Sequence, residues 1–130
     1  PANILSGKPE YESNIPTWGP ITVTFAGIPE VEPDWVANNR ATLCILDVRN
    51  EQEFQGDLGH VEGSMLIPLS ELRQRINEVP KDKPVVVICQ SGKRSAMATQ
   101  ILQTDGFKQT ANIAGGLINW TKLTLPGLVV

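Results

Sequence analysis

Cysteine and histidine are scarce in this chain. Its 130 residues hold two cysteines, Cys44 and Cys89, and one histidine, His60. That excludes a disulfide scaffold and leaves no Cys/His cluster for a zinc centre. Positive charge is not in excess either: the formal net charge is -3, which speaks against holding nucleic acid or an anionic membrane through bulk charge. No apolar run approaches the roughly 20 residues that a spanning helix needs. What is present is ordinary globular usage, 41% apolar and 19% charged, over a length that suits one domain with its own core. Composition therefore points to a soluble, single-domain, cytoplasmic protein. Any cysteine chemistry in it must be done by one thiol alone.

The chain opens at Pro1 without a methionine, as expected of a processed chain or a part of a longer protein. Residues 1–20 carry Pro1, Pro9, Pro16 and Pro20 with Gly7 and Gly19. Proline fixes φ and lacks a donor, so this stretch is expected to be an extended arm or linker, with the domain proper over 21–130.

From Ile21 onward strand-like and helix-like pieces alternate. Ile21 to Phe25 is β-branched and aromatic, a candidate edge strand. Pro33 to Asn39 reads as a short helix with proline in the first turn. Thr42 to Val48 is almost continuously apolar, as in a strand covered on both faces. Asn50 can cap a short helix with Glu53 reaching back to it. Met65 to Ile67 is a short apolar run before Pro68. Ser70 is then expected to cap a helix carrying Leu69, Leu72, Ile76 and Val79, stopped by Pro80. Val85 to Ile88 is the strongest strand. Ser95 to Asp105 is a helix with Met97, Ala98, Ile101 and Leu102 as its stripe; Ala111 to Ala114 is a strand and Gly115 to Leu123 a closing helix. This alternation predicts an α/β fold, a mostly parallel central sheet flanked by helices on both faces. Ligands in such folds bind beyond the carboxyl ends of the strands, which directs attention to the segments after Val48 and Ile88.

After Ile88 comes Cys89-Gln90-Ser91-Gly92-Lys93-Arg94-Ser95, leading into a helix. Gly92 can take positive φ, so the loop can curl with successive N–H groups pointing inward. The helix start presents its positive end there, and Lys93 and Arg94 add two cations. Each feature favours thiolate over thiol. Cys89 is thus the candidate nucleophile within a bowl formed by Gln90, Ser91, Gly92, Lys93, Arg94 and Ser95. Cys44 lies inside an apolar strand without nearby cations and is assigned to the core.

The loop resembles the active-site loop of single-domain rhodaneses, a family of sulfurtransferases, in its Cys-x-x-Gly-x-Arg form. The resemblance continues through Leu46-Asp47-Val48-Arg49 with Glu53-Phe54, then Gly59-His60-Val61-Glu62-Gly63-Ser64 with Ile67-Pro68-Leu69. It closes with Gly106-Phe107 and Ile113-Ala114-Gly115-Gly116-Leu117-x-x-Trp120. It spans Thr42 to Trp120 with four motifs in order. It implies a rhodanese-like fold and transfer of a sulfane sulfur: Cys89 attacks the outer sulfur of thiosulfate or a persulfide donor, and cyanide or a thiol such as glutathione removes that sulfur. Arg94 and Lys93 are placed to hold the anionic donor. Asp47 and Arg49 are expected to organise the loop, and His60 to have a structural or supporting role. No cofactor and no metal are expected.

Three other readings remain open. A cysteine phosphatase or arsenate reductase uses a similar bowl, but typically with arginine six residues after the cysteine, whereas Arg94 is five after Cys89. A rhodanese-like module that only binds a partner would lack the cysteine. A sulfur relay for tRNA or cofactor thiolation would keep the chemistry and change its role. Pro1-Ala2-Asn3 with Gly7 also resembles the last residues of metallo-β-lactamase-fold persulfide dioxygenases, some of which carry a C-terminal rhodanese domain. That resemblance implies a fused or associated partner whose iron would not bind here.

Overall fold

Four consecutive β-branched residues, Val85 to Ile88, have no polar side to turn toward water and form a fully buried strand at the centre of the sheet. The structure, a computed structural model, describes residues 18–130. Most of the arm expected over 1–20 lies outside the described residues. Among the described residues the strands are β1 (Thr22–Val23), β2 (Pro29–Val31), β3 (Cys44–Asp47), β4 (His60–Val61), β5 (Met65–Leu66), β6 (Val85–Ile88), β7 (Thr110–Ile113) and β8 (Leu128–Val129). The α-helices are α1 (Pro33–Asn38), α2 (Glu51–Phe54), α3 (Leu72–Arg75), α4 (Lys93–Thr104) and α5 (Gly116–Lys122).

The main sheet runs β1-β2-β7-β6-β3-β5. Every pairing in it is parallel except β1 with β2 at the edge. Because side chains alternate across a strand, the central strands feed two cores. Ile45, Val86, Ile88, Ala111 and Ile113 pack on one face with Val36 of α1 and Leu117 and Trp120 of α5. Cys44, Leu46, Val85 and Val87 pack on the other with Leu72 of α3 and Ala98 and Leu102 of α4. This is the expected α/β arrangement, with helices on both faces. No helix among the described residues is long and apolar enough to cross a membrane.

Local expectations hold in part. Pro33 sits in the first turn of α1. The Asn50 capping box forms with both bonds: Glu53 N–H donates to Asn50 Oδ1 at 2.8 Å and Asn50 N–H to Glu53 Oε1 at 3.1 Å. The single helix expected after Ser70 is instead a 3-10 turn (Leu69–Glu71), α3 and a second 3-10 turn (Ile76–Glu78). Ser70 caps nothing, because Pro68 at its ψ of 144° already starts the turn and places Ser70 inside it. β2 goes unrecognised in the sequence, as do β4 and β8, which pair antiparallel in a small second sheet. Helix α4 begins at Lys93, two residues before the expected Ser95, with Gly92 at its cap in the left-handed region.

Candidate active site

Strands β3 and β6 pair in register, Asp47 beside Ile88, so the segments leaving their carboxyl ends emerge side by side. That juxtaposition brings Cys89, Asp47 and Arg49 to one sheet edge. Cys89 is 1% exposed and follows directly on the buried strand. Its Sγ accepts from the Gly92 N–H at 3.1 Å and the Ser95 N–H at 3.3 Å. These belong to the cap and third residue of α4, donors without helical partners, so the sulfur stands where a capping side-chain oxygen usually does. Gly92 reaches this position at φ 104°. The Ser95 hydroxyl lies 3.3 Å from Sγ.

Burial pushes the Cys89 thiol up, but the Ser95 hydroxyl, when it turns its proton to the sulfur, and the N–H groups of Ser95, Gly92 and Ser91 outweigh it, so its pKa then lies below that of an ordinary thiol. Cys44 shows the opposite balance: burial dominates and raises its pKa, with only Lys83 opposing. Both cysteines are free thiols. One fold thus holds a thiol with a lowered pKa and another with a raised one.

The loop backbone is tied from beneath by α5. Leu117 N–H donates to Cys89 O at 2.9 Å and Ile118 N–H to Gln90 O at 3.0 Å. Gly116 permits this approach; a Cβ there would stand 2.5 Å from Gln90 O and closer still to Cys89 O. Gln90, Ser91 and Lys93 face solvent at the mouth. Lys93 makes no ion pair among the described residues.

Arg94, expected to hold a donor, instead turns its fork to Glu53, at 2.7 and 2.8 Å. The Arg94 bond and the Asn50 cap hold the Glu53 carboxyl down, to about 2, against a smaller upward push from burial. Glu53 thus has two tasks, of which the sequence shows only the cap; its place in the motif containing Asp47 and Arg49 was the available signal. Beside Arg94 lies an open cleft of ≈ 330 Å³ lined by Val48, Asn50, Pro68, Leu69 and Ser70.

Asp47 and Arg49 form a buried pair, 0% and 1% exposed, with bonds of 2.8 to 3.2 Å from Nη2 and Nε. Arg49 also donates to Glu53 O at 3.2 Å and Gly59 O at 2.8 Å, pinning α2 and the turn that follows it. His60 stacks on Phe54 with centroids 3.7 Å apart, and its Nδ1 lies 2.9 Å from Phe54 O. These three side chains brace α2, which bears Glu53, and no Cys–His pair is formed. Two further polar residues go unmarked in the sequence: Asn112 and Glu30. A lone buried amide in the strand Thr110–Ile113 was the signal for the first. Among the described residues no cluster of His, Cys, Asp or Glu could hold a metal ion.

The model of the family described as "Rhodanese-like domain" matches residues 32–123. Over 76 residues the chain is 45% identical to YqhL of Bacillus subtilis (strain 168), an overlap covering 58% of this chain and 59% of YqhL. Over 84 residues it is 33% identical to a sulfurtransferase of Allochromatium vinosum, covering 65% of this chain and 77% of that one. The crystal structure of a rhodanese-related protein from Thermoplasma volcanium superposes with a TM-score of 0.69 at 31% identity, over 75% of this chain and 94% of that one.

Proposed function

The chain belongs to the rhodanese-like domain family, and from that premise we propose that it moves a sulfane sulfur through Cys89. The observation that carries this reading is a sulfur held by inward N–H donors at a helix start, with a pKa below that of an ordinary thiol. In the first half-reaction the Cys89 thiolate attacks the outer sulfur of the donor. A new S–S bond forms, the donor's own S–S bond breaks, and sulfite or an organic thiolate leaves. The N–H bowl then holds the terminal charge of the persulfide. In the second half-reaction a thiol or cyanide takes the outer sulfur and returns the thiolate. The ionised thiol needs no general base, in keeping with His60 lying on Phe54.

The Glu53–Arg94 pair favours one donor class. Thiosulfate would have to compete with a fixed carboxylate for the guanidinium. The persulfide of an organic thiol needs no such fork, and Val48, Pro68 and Leu69 offer its carbon chain an apolar wall. The same pairing argues against phosphate-ester or arsenate chemistry, because Glu53 already occupies the Arg94 fork that would serve as an oxyanion clamp. The residues that would bear on a fused dioxygenase, Pro1 to Gly7, lie outside the described residues.

Intact mass after mixing with glutathione persulfide is expected to show one sulfur gained on Cys89 and removed by cyanide. Absence of that adduct with both this donor and thiosulfate would sink the reading. Charge at the mouth is tested separately. Glu53→Gln keeps the capping partner and frees the Arg94 fork, and should lower the apparent KM for thiosulfate about tenfold, the worth of one charge-assisted bond. Arg94→Ala should raise it, while the KM for an organic persulfide moves little in either variant. Equal changes for both donors would show that Arg94 does not discriminate between them.

A further inference from the structure

Behind Cys89 a line of hydrogen bonds crosses the sheet. Ser95 Oγ donates to Asn112 Oδ1 at 2.5 Å, and Asn112 Nδ2 donates to Glu30 Oε2 at 3.0 Å. Glu30 and Asn112 are register partners on β2 and β7, which is why the two side chains meet. Ser95 and Asn112 are 0% and 3% exposed, so the bond between them is shielded from water, while Glu30 is half-buried at the outer end of the line.

Counting protons along the line fixes its direction. A carboxylate only accepts, so Glu30 takes the Asn112 NH2 group. The amide oxygen must then face Ser95, and it too only accepts. The single hydroxyl proton of Ser95 is therefore committed to Asn112, and Ser95 offers Cys89 a lone pair suited to an S–H donor. An ionised Cys89 asks for that same proton. To give it, Ser95 must turn from Asn112 and leave two oxygens facing each other, unless the amide rotates. Glu30 opposes that rotation.

We propose that Glu30 is a positioning residue that sets how readily Cys89 ionises, by fixing through Asn112 where the Ser95 hydroxyl proton points. It holds the resting sulfur closer to the thiol than the N–H donors alone would. Charged groups around the loop are Lys93 and Arg94 on α4, Asp47 at the end of β3 and Arg49 after it, Glu53 on α2 and Glu30 on β2. Of these, Glu30 is the one joined to Ser95 by an unbroken side-chain line. The proposal rests on Cys89 being the reactive thiol of the sulfurtransferase reading.

The test is the pH profile of Cys89 alkylation by iodoacetamide, which reads the thiol whether or not sulfur is transferred. A glutamine at position 30 could satisfy Asn112 in either orientation. Glu30→Gln should thus lower the alkylation midpoint by about one pH unit, the scale of one hydrogen bond to a charged group. Loss of a nearby negative charge would act in the same direction, so the comparison is repeated in Ser95→Ala. There the drop should all but vanish, because the proton that carries it is gone. Glu30→Ala, with water satisfying Asn112, serves the same comparison if glutamine disturbs β2. No drop in the parent background, or an equal drop in both, would overturn the proposal. Failure of sulfur uptake with this pattern intact would instead remove the sulfurtransferase reading.

Discussion

Cys89→Ser is expected to lose sulfur uptake by more than about a thousandfold, the scale on which removal of an enzyme's nucleophile is felt. The reason lies in what the bowl stabilises. Its donors to Sγ, at 3.1 and 3.3 Å, lower the pKa of a thiol that starts near the working range. A serine hydroxyl in the same place remains a neutral alcohol, too far from ionisation for those donors to help. Cys44→Ser should retain uptake, since that sulfur sits in the same core as Leu72 and Leu102 and burial holds it as thiol. Intact mass after donor treatment distinguishes the two variants, and a sulfur adduct surviving in Cys89→Ser would refute the assignment. The pH profile has a definite sign. With the Cys89 pKa lowered, reaction persists below the range of an ordinary thiol and fades only when acid returns the proton.

What the sequence made legible is what short-range physics encodes. The apolar runs Thr42 to Val48 and Val85 to Ile88 read as strands covered on both faces, and the cap at Asn50 is spelled out within four residues. The proposed nucleophile, Cys89, is legible because its donors lie within six residues of it. Two of the missed features depend on partners far apart in the chain. β2 is three residues long, begins with proline and carries Glu30, so it is a strand only because β7 lies alongside. Glu53 meets Arg94 across 41 positions, a contact made by the parallel pairing of β3 and β6. The start of α4 was displaced because serine is the usual cap, whereas here Gly92 takes the cap position and Cys89 supplies the accepting atom. In the first two cases a local rule gave way to a tertiary partner, and in the third to a sulfur three residues away.

The second large effect falls on stability. Asp47→Ala should destabilise the fold by about 3–5 kcal/mol, the cost of leaving a buried charge without its partner. Arg49 would keep its bonds to Glu53 O and Gly59 O, but neither carbonyl carries the opposing charge. Against a total stability of about 5–15 kcal/mol for a domain, such a loss brings unfolding within reach of mild denaturant. Urea titration measures it, and a loss under about 1 kcal/mol would show that the pair does not support the fold. Replacing both partners, Asp47→Leu with Arg49→Met, removes the stranded charge and should recover much of that stability. It should not recover the site. Arg49 is the tie that holds α2 and the turn at Gly59, and α2 carries Glu53 to Arg94. The double variant should therefore fold while its preference between thiosulfate and organic persulfides drifts toward that of Glu53→Gln. A double variant with parental donor preference would confine the pair to stability. A drifted preference in a folded protein makes the ion pair part of how the site chooses its sulfur.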